Sequence, residues 1–224
     1  MWSGAWDDIL KGGDPRWKRG EGEANTRAQL THLHSLAGEY SLPSSLSIFV
    51  PLAGDCPIVH AAWMMGHKVT ANEFVPVAVT ALRRVFSAKE EDWKCEEIPA
   101  GKKWTYVVDG RVIIYECDIF TSVSELLDSF DIVFDKDAYG ALSPPVRRGY
   151  MSVLSSYLRH GGIMYCEAKK KLVDADKGPP FDVTPEDIKG NVDGLLTYVR
   201  SLGEVYDWGD KSQYLQIGHV LKRE

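Results

Sequence analysis

The chain has 224 residues, enough to bury one sizeable core and too few for two full domains. Its 44% hydrophobic and 26% charged residues suit a water-exposed globular protein, and no apolar run reaches the length of a bilayer crossing. A formal net charge of −6 argues against the basic face that nucleic-acid phosphates require. The first twenty residues hold no apolar core flanked by basic residues, so no secretory signal is expected and a cytoplasmic location is.

In chain order, Trp2, Trp6 and Trp17 stand among Gly, Asp and Lys in a weakly periodic stretch, 1–25. These tryptophans either cap the core as an N-terminal flap or, at Trp17, close over a ligand. Leu30, Leu33 and Leu36 at helical spacing predict an amphipathic helix over 26–40. In the stretch 47–74, an apolar run breaks at Gly54, a segment of helical length is stopped by Gly66, and a second strand-like run, 67–71, ends close to Glu73. Strand, tight turn, helix and strand are the front half of a nucleotide-binding βαβ unit. Glu73 lies about twenty residues past the turn, where a ribose-binding carboxylate is expected.

Pro76 suits the first turn of a helix over 77–86. The polar stretch 87–104 reads as an irregular surface excursion. Runs at 105–108 and 111–117 flank Asp109-Gly110, a hairpin signal, and the second arm ends at Asp118. A short capped helix is expected over 122–129, then a strand over 130–134 ending at Asp135. Pro144-Pro145 opens a helix running to Leu158, stopped by His160-Gly161-Gly162, and 163–168 is a further strand. Residues 169–183 read as a loop, Thr184 caps a helical turn, and 195–206 with 214–221 form an antiparallel hairpin around Trp208-Gly209-Asp210. Alternating strands and helices predict an α/β fold, a mostly parallel sheet with helices on both faces and an antiparallel last strand. Ligands in such sheets bind outside the carboxyl ends of the strands, where Glu73, Asp118 and Asp135 gather.

Cys56, Cys95, Cys117 and Cys166 show no CxxC spacing and read as buried thiols. His32 and His34, two apart on a helix, face different sides, so no metal is expected. A dinucleotide site needs a glycine-rich turn for its pyrophosphate. Here the turn is Pro51-Leu52-Ala53-Gly54-Asp55-Cys56-Pro57, with one glycine and an acid where phosphate would lie. S-adenosylmethionine (SAM) carries no phosphate and presents a cationic sulfonium and amine. One close-approach glycine and several carboxylates fit it, Glu73 accepting from ribose hydroxyls and Asp118 from the adenine amine, with Ile119 and Phe120 packing on the ring. SAM is therefore expected rather than NAD.

The segments IFVPLAGD and MMGHKVTANEF within 47–74 resemble the signature of the thiopurine S-methyltransferase family. The resemblance continues at Cys117-Asp118-Ile119-Phe120, through FDIVFDKDAYGALSPPVRRGY (130–150), and ends at GPPFDVTPEDI (178–188). Trp17-Lys18-Arg19-Gly20 matches its N-terminal tryptophan and glycine loop. The resemblance implies a class I SAM-dependent methyltransferase: a Rossmann-like three-layer sandwich over residues 1–224, with 1–40 a flap or helix over the cofactor. It implies that Trp17 shields SAM, Leu52 and Gly54 line its methionine portion, Glu73 holds the ribose, and Asp118 with Ile119 holds the adenine; Asp135, at the third strand end, either joins the cofactor site or caps the next turn through an Asx bond. On the acceptor side it implies Lys136, where the family usually has arginine, with Pro180 and Phe181 as an apolar wall. Asp55 stands where the family has lysine, and Ala24-Asn25 replaces its aromatic-histidine pair.

The implied activity is methyl transfer to the sulfur of a small aromatic or heterocyclic thiol. Lys136 is the catalytic candidate, a cation favouring the thiolate. A halide or metalloid acceptor, or non-catalytic SAM binding, are the alternatives. The expected partner is a small-molecule acceptor, and a monomer is expected.

Overall fold

The computed structural model of the chain describes residues 6, 11, 13, 22–192, 194, 196–207 and 211–224. Trp17 and Trp208-Gly209-Asp210 lie outside the described residues. The elements are α1 (Glu23–Glu39), β1 (Ser47–Val50), α2 (Pro57–Met64), β2 (Lys68–Glu73), α3 (Pro76–Phe86), β3 (Trp93–Ile98), β4 (Gly101–Tyr106) and β5 (Val112–Cys117). They continue with β6 (Phe130–Lys136), α4 (Ala138–Ala141), α5 (Pro144–Tyr157), β7 (Leu158–Lys171), α6 (Pro185–Asn191), β8 (Leu196–Tyr206) and β9 (Tyr214–Arg223). Proline sits in the first turn of α2, α3, α5 and α6, where its fixed φ helps and its missing N–H costs nothing. Thr184 caps α6 as expected, in a reciprocal capping box with Asp187.

The described strands form one sheet in the order β3-β4-β5-β2-β1-β6-β7-β9-β8. Its centre, β5-β2-β1-β6-β7, is parallel. The two-residue period of β1 sends Ile48 and Val50 into one core and Phe49 into the other. The first core takes Leu33 and Leu36 from α1, Ile58 and Val59 from α2, and Val79 and Leu82 from α3. The second takes Tyr139 from α4, Tyr150 and Leu154 from α5, and Ile188 from α6. The result is the expected three-layer α/β sandwich. The chain runs from β1 towards β2 and β5 on one side and from β6 to β7 on the other, so the order reverses between β1 and β6.

The sheet departs from expectation at one edge, while the C-terminal hairpin forms the other as expected. The stretch read as a surface excursion contains β3, paired antiparallel with β4, which pairs antiparallel with β5. Lys94, Cys95, Glu96 and Glu97 are exposed on this edge strand. Charge on an outer edge protects it from pairing with another chain, and that protection hid the strand. Cys95 is accordingly exposed, whereas Cys56, Cys117 and Cys166 are buried. At 122–129 a single 3-10 turn, Ser124–Leu126, replaces the expected capped helix, and no side chain caps it.

His160-Gly161-Gly162 does not end α5, which stops at Tyr157. It forms an irregularity inside the long strand β7: Phe130 pairs with Leu158, and Ile132 with Ile163. Gly161 takes φ +76°. A Cβ on Gly162 would lie 2.9 Å from the Arg159 carbonyl oxygen and 3.0 Å from that of Asp131, backbone atoms that have no room to yield. Gly162→Ala is expected to destabilise the chain by about 2 kcal/mol, read as a lower urea midpoint. An unchanged midpoint would show that the bulge accepts a side chain.

Candidate active site

A cavity of about 340 Å³ opens above the carboxyl ends of β1, β2, β5 and β6, at the reversal of strand order. This is the general ligand position in open α/β sheets, and the volume suits a small molecule. The turn after β1 supplies Leu52, Gly54, Asp55 and Cys56; the end of β2 supplies Glu73; the end of β5 supplies Asp118, Ile119 and Phe120; β6 and α4 supply Lys136, Asp137 and Leu142.

The β1 turn is wound tightly. Leu52 and Gly54 both take positive φ, +46° and +55°. For leucine this is strained backbone, of the kind that persists only where surrounding structure over-determines it. Gly54 faces a second constraint, because a Cβ there would lie 3.3 Å from the Trp6 ring. Trp6 is buried, packs with Val75 and Ala78, and lines the cavity. The N-terminal segment therefore reaches the site through Trp6; in weakly periodic sequence nothing marked it above Trp2 or Trp17.

Glu73 is 6% exposed. One carboxylate oxygen accepts from the Gly54 N–H at 2.9 Å, and the other accepts from the N–H groups of Phe74 at 2.7 Å and Val75 at 2.8 Å. Burial pushes its carboxyl up, the three backbone donors pull it down, and burial prevails. A carboxylate offers about four acceptor sites, so Glu73 ties the turn to β2 and keeps room for one further donor. Asp118 is exposed, and one of its oxygens accepts from the Phe120 N–H at 3.0 Å, leaving the other for a ligand. Ile119 is buried beside it, and the Phe120 ring is exposed at the cavity wall.

Asp135 does not line this cavity. It is 0% exposed, accepting from the Tyr139 N–H at 3.1 Å and from the Tyr150 hydroxyl at 2.8 Å. It belongs beneath the site, anchoring α4 and α5 to β6, rather than in the cofactor set. Pro180 and Phe181 do not line this cavity either. The Phe181 N–H donates to the Gly140 carbonyl at 2.8 Å, and its ring faces the Arg147 guanidinium at 5.8 Å. The loop thus braces α4, whose Ala138 and Ala141 line the cavity.

At the opposite end from Glu73 and Asp118, Lys136 and Asp137 line the wall, with the Lys136 ammonium 3.6 Å from the Asp137 carboxylate. Among the described residues no three His, Cys, Asp or Glu side chains gather as a metal site. The donor set fits SAM: carboxylates of Asp55, Glu73 and Asp118 for a cationic, phosphate-free nucleotide, and a glycine turn that admits its chain.

Burial raises the Asp135 carboxyl from 3.8 to about 7, against the pull of Tyr150 and the Tyr139 N–H. The folded chain then holds that proton more tightly than the unfolded chain. Its contribution to stability is full below the ordinary carboxylate range and falls as pH rises towards 7. Asp135→Asn is expected to flatten the decline in unfolding free energy between about pH 4 and pH 7. Parallel profiles for the two proteins would contradict this.

The sequence pattern of the family described as Thiopurine S-methyltransferase (TPMT) matches residues 3–213. A "Probable thiopurine S-methyltransferase" of Danio rerio is 29% identical over 170 residues, covering 72% of this chain and 72% of its own length. A thiopurine S-methyltransferase of Legionella pneumophila (strain Paris) is 26% identical over 150 residues, covering 66% of this chain and 64% of its own. The solved magnesium protoporphyrin IX methyltransferase (ChlM) from Synechocystis PCC 6803 with bound SAH aligns at a TM-score of 0.65 over 98% of each chain, at 13% identity, a likeness of fold. With the pattern matched over nearly the whole length and the cavity at the expected strand ends, the chain belongs to the thiopurine S-methyltransferase family.

Proposed function

We propose that this chain transfers the methyl group of SAM to the sulfur of a small aromatic or heterocyclic thiol, with Lys136 beside the acceptor. Family membership supplies the class, a SAM-dependent S-methyltransferase. The observation that carries the reading is the charged lining of the cavity: Asp55, Glu73 and Asp118 from the β1 turn and the ends of β2 and β5, and the cation of Lys136, with Asp137 beside it, from the end of β6. Carboxylates attract a cationic cofactor and repel a thiolate; a lysine does the reverse. The two reactants are sorted to opposite ends.

SAM, when bound, supplies a methyl group made electrophilic by its cationic sulfur. Glu73, with one acceptor site left, would take a ribose hydroxyl. The free oxygen of Asp118 would accept from the adenine amine, with Ile119 below the ring and Phe120 at its edge. Leu52 and Gly54 would line the methionine portion, and Trp6 would cover the turn that holds it. Lys136 favours the ionised thiol by placing a cation beside it. Aromatic thiols ionise near neutral pH, so no dedicated base is needed, and alignment across the cavity can supply much of the acceleration.

Two variants separate the two ends. Lys136→Met is expected to lower kcat/KM for thiophenol by about tenfold, while SAM affinity by calorimetry changes by less than about twofold. Asp118→Ala is expected to weaken SAM chiefly. Equal losses of cofactor affinity and acceptor turnover in Lys136→Met would contradict its place on the acceptor side.

A further inference from the structure

Beside Lys136, Asp137, which also lines the cavity, closes a triangle with Lys169 and Gln216. The Lys169 ammonium, in a side chain 4% exposed, donates to both Asp137 oxygens, at 3.0 and 3.2 Å. The Gln216 amide donates to Asp137 at 3.0 Å, and its carbonyl oxygen accepts from Lys169. Lys169 and Gln216 face one another across β7 and β9, so the last strand of the chain reaches the site here. Asp137 itself takes φ +62°, and its N–H donates to the Glu167 carbonyl at 2.8 Å. A left-handed aspartate held by three partners is an over-determined position of the kind found beside functional groups.

Asp137 is thus shared between two lysines, and unequally: Lys169 at hydrogen-bonding distance, Lys136 at 3.6 Å. Burial alone would push the Asp137 carboxyl up; the charges of Lys169 and then Lys136 overcome it and hold the group below its ordinary range. Were Lys169 absent, the carboxylate would turn to Lys136 and cancel its charge. We propose that Lys169, through Asp137, is a positioning residue for the acceptor-side cation, engaging the carboxylate so that Lys136 keeps its charge directed at the cavity. This deepens the reading above and rests on Lys136 facing the acceptor.

The test uses two ligands that share the phenylthio group, thiophenol at pH 8, where it is ionised, and its neutral S-methyl ether, thioanisole. Their affinities are measured by calorimetry on the full chain saturated with S-adenosylhomocysteine. The parent protein binds the thiolate about tenfold more tightly than the ether, the size of one partly buried charge contact. In Lys169→Met the ratio falls towards one, and Lys169→Arg restores it. In Asp137→Asn, whose side chain also accepts a left-handed backbone, the ratio rises, because the competing carboxylate is gone. A merely structural role would lower both affinities together, and Asp137→Asn would fall with Lys169→Met; either result overturns the proposal. If Lys169→Met does not fold, the Asp137→Asn ratio decides alone. Methyl transfer to thiophenol is followed alongside. Ratios that move as stated without any methylated product overturn the catalytic reading and leave the positioning role intact. Product with an unmoved ratio overturns the positioning role alone, and failure of both ligands to bind overturns both.

Discussion

Glu73 ties the β1 turn to the end of β2, reinforcing the backbone bond from the Ala53 N–H to the Asn72 carbonyl at 2.8 Å. Its carboxylate accepts N–H donors from the β1 turn at Gly54 and from the end of β2 at Phe74 and Val75. Hydrogen bonds to a charged acceptor contribute about 1.5–3 kcal/mol each, while burying a carboxylate costs several. Burial raises the Glu73 carboxyl despite all three donors, so the net stabilisation is small. What the contact secures is geometry. With the turn fixed, Leu52 and Gly54 keep their left-handed backbone, Trp6 packs over Gly54, and the cavity floor between β1 and β2 has one shape.

The opposite wall is set by a second buried system with the same logic. Asp135 fastens α4 and α5 to β6 through the Tyr139 N–H and the Tyr150 hydroxyl, so that Lys136 and Asp137 leave the strand in a defined direction. Asp137 is then held by Lys169 and Gln216. Each wall therefore stands on a buried acid: Asp135 takes its hydrogen bonds from protein, while Glu73 keeps one acceptor site beyond its three backbone donors.

Much of this was readable along the chain. The spacing of Gly54, Gly66 and Glu73 announced strand, turn, helix and strand, and the scarcity of glycine beside Asp55 pointed away from phosphate. The fold and family follow from those residues and their later companions. Other features depend on contacts between distant residues. A strand-end acid looks the same whether it faces solvent, as Asp118 does, or meets a hydroxyl fifteen residues later, as Asp135 meets Tyr150. Strand β3 was masked by the charges that protect an edge. Pro180 and Phe181 are not among the residues that line the cavity, and the Phe181 N–H binds the Gly140 carbonyl, a contact no local pattern announces. Lys169 and Gln216, forty-seven residues apart, carry no local signal and meet only through strand pairing.

The central claim is that one cavity sorts a cationic cofactor and an anionic acceptor to opposite ends. A crystal structure of the chain with S-adenosylhomocysteine tests it most directly. The account predicts the ribose against Glu73, the adenine over Ile119 with Phe120 at its edge and its amine towards Asp118, and the sulfur turned towards Lys136. A nucleoside lying at the Lys136 end, or a sulfur facing away from that lysine, would contradict it.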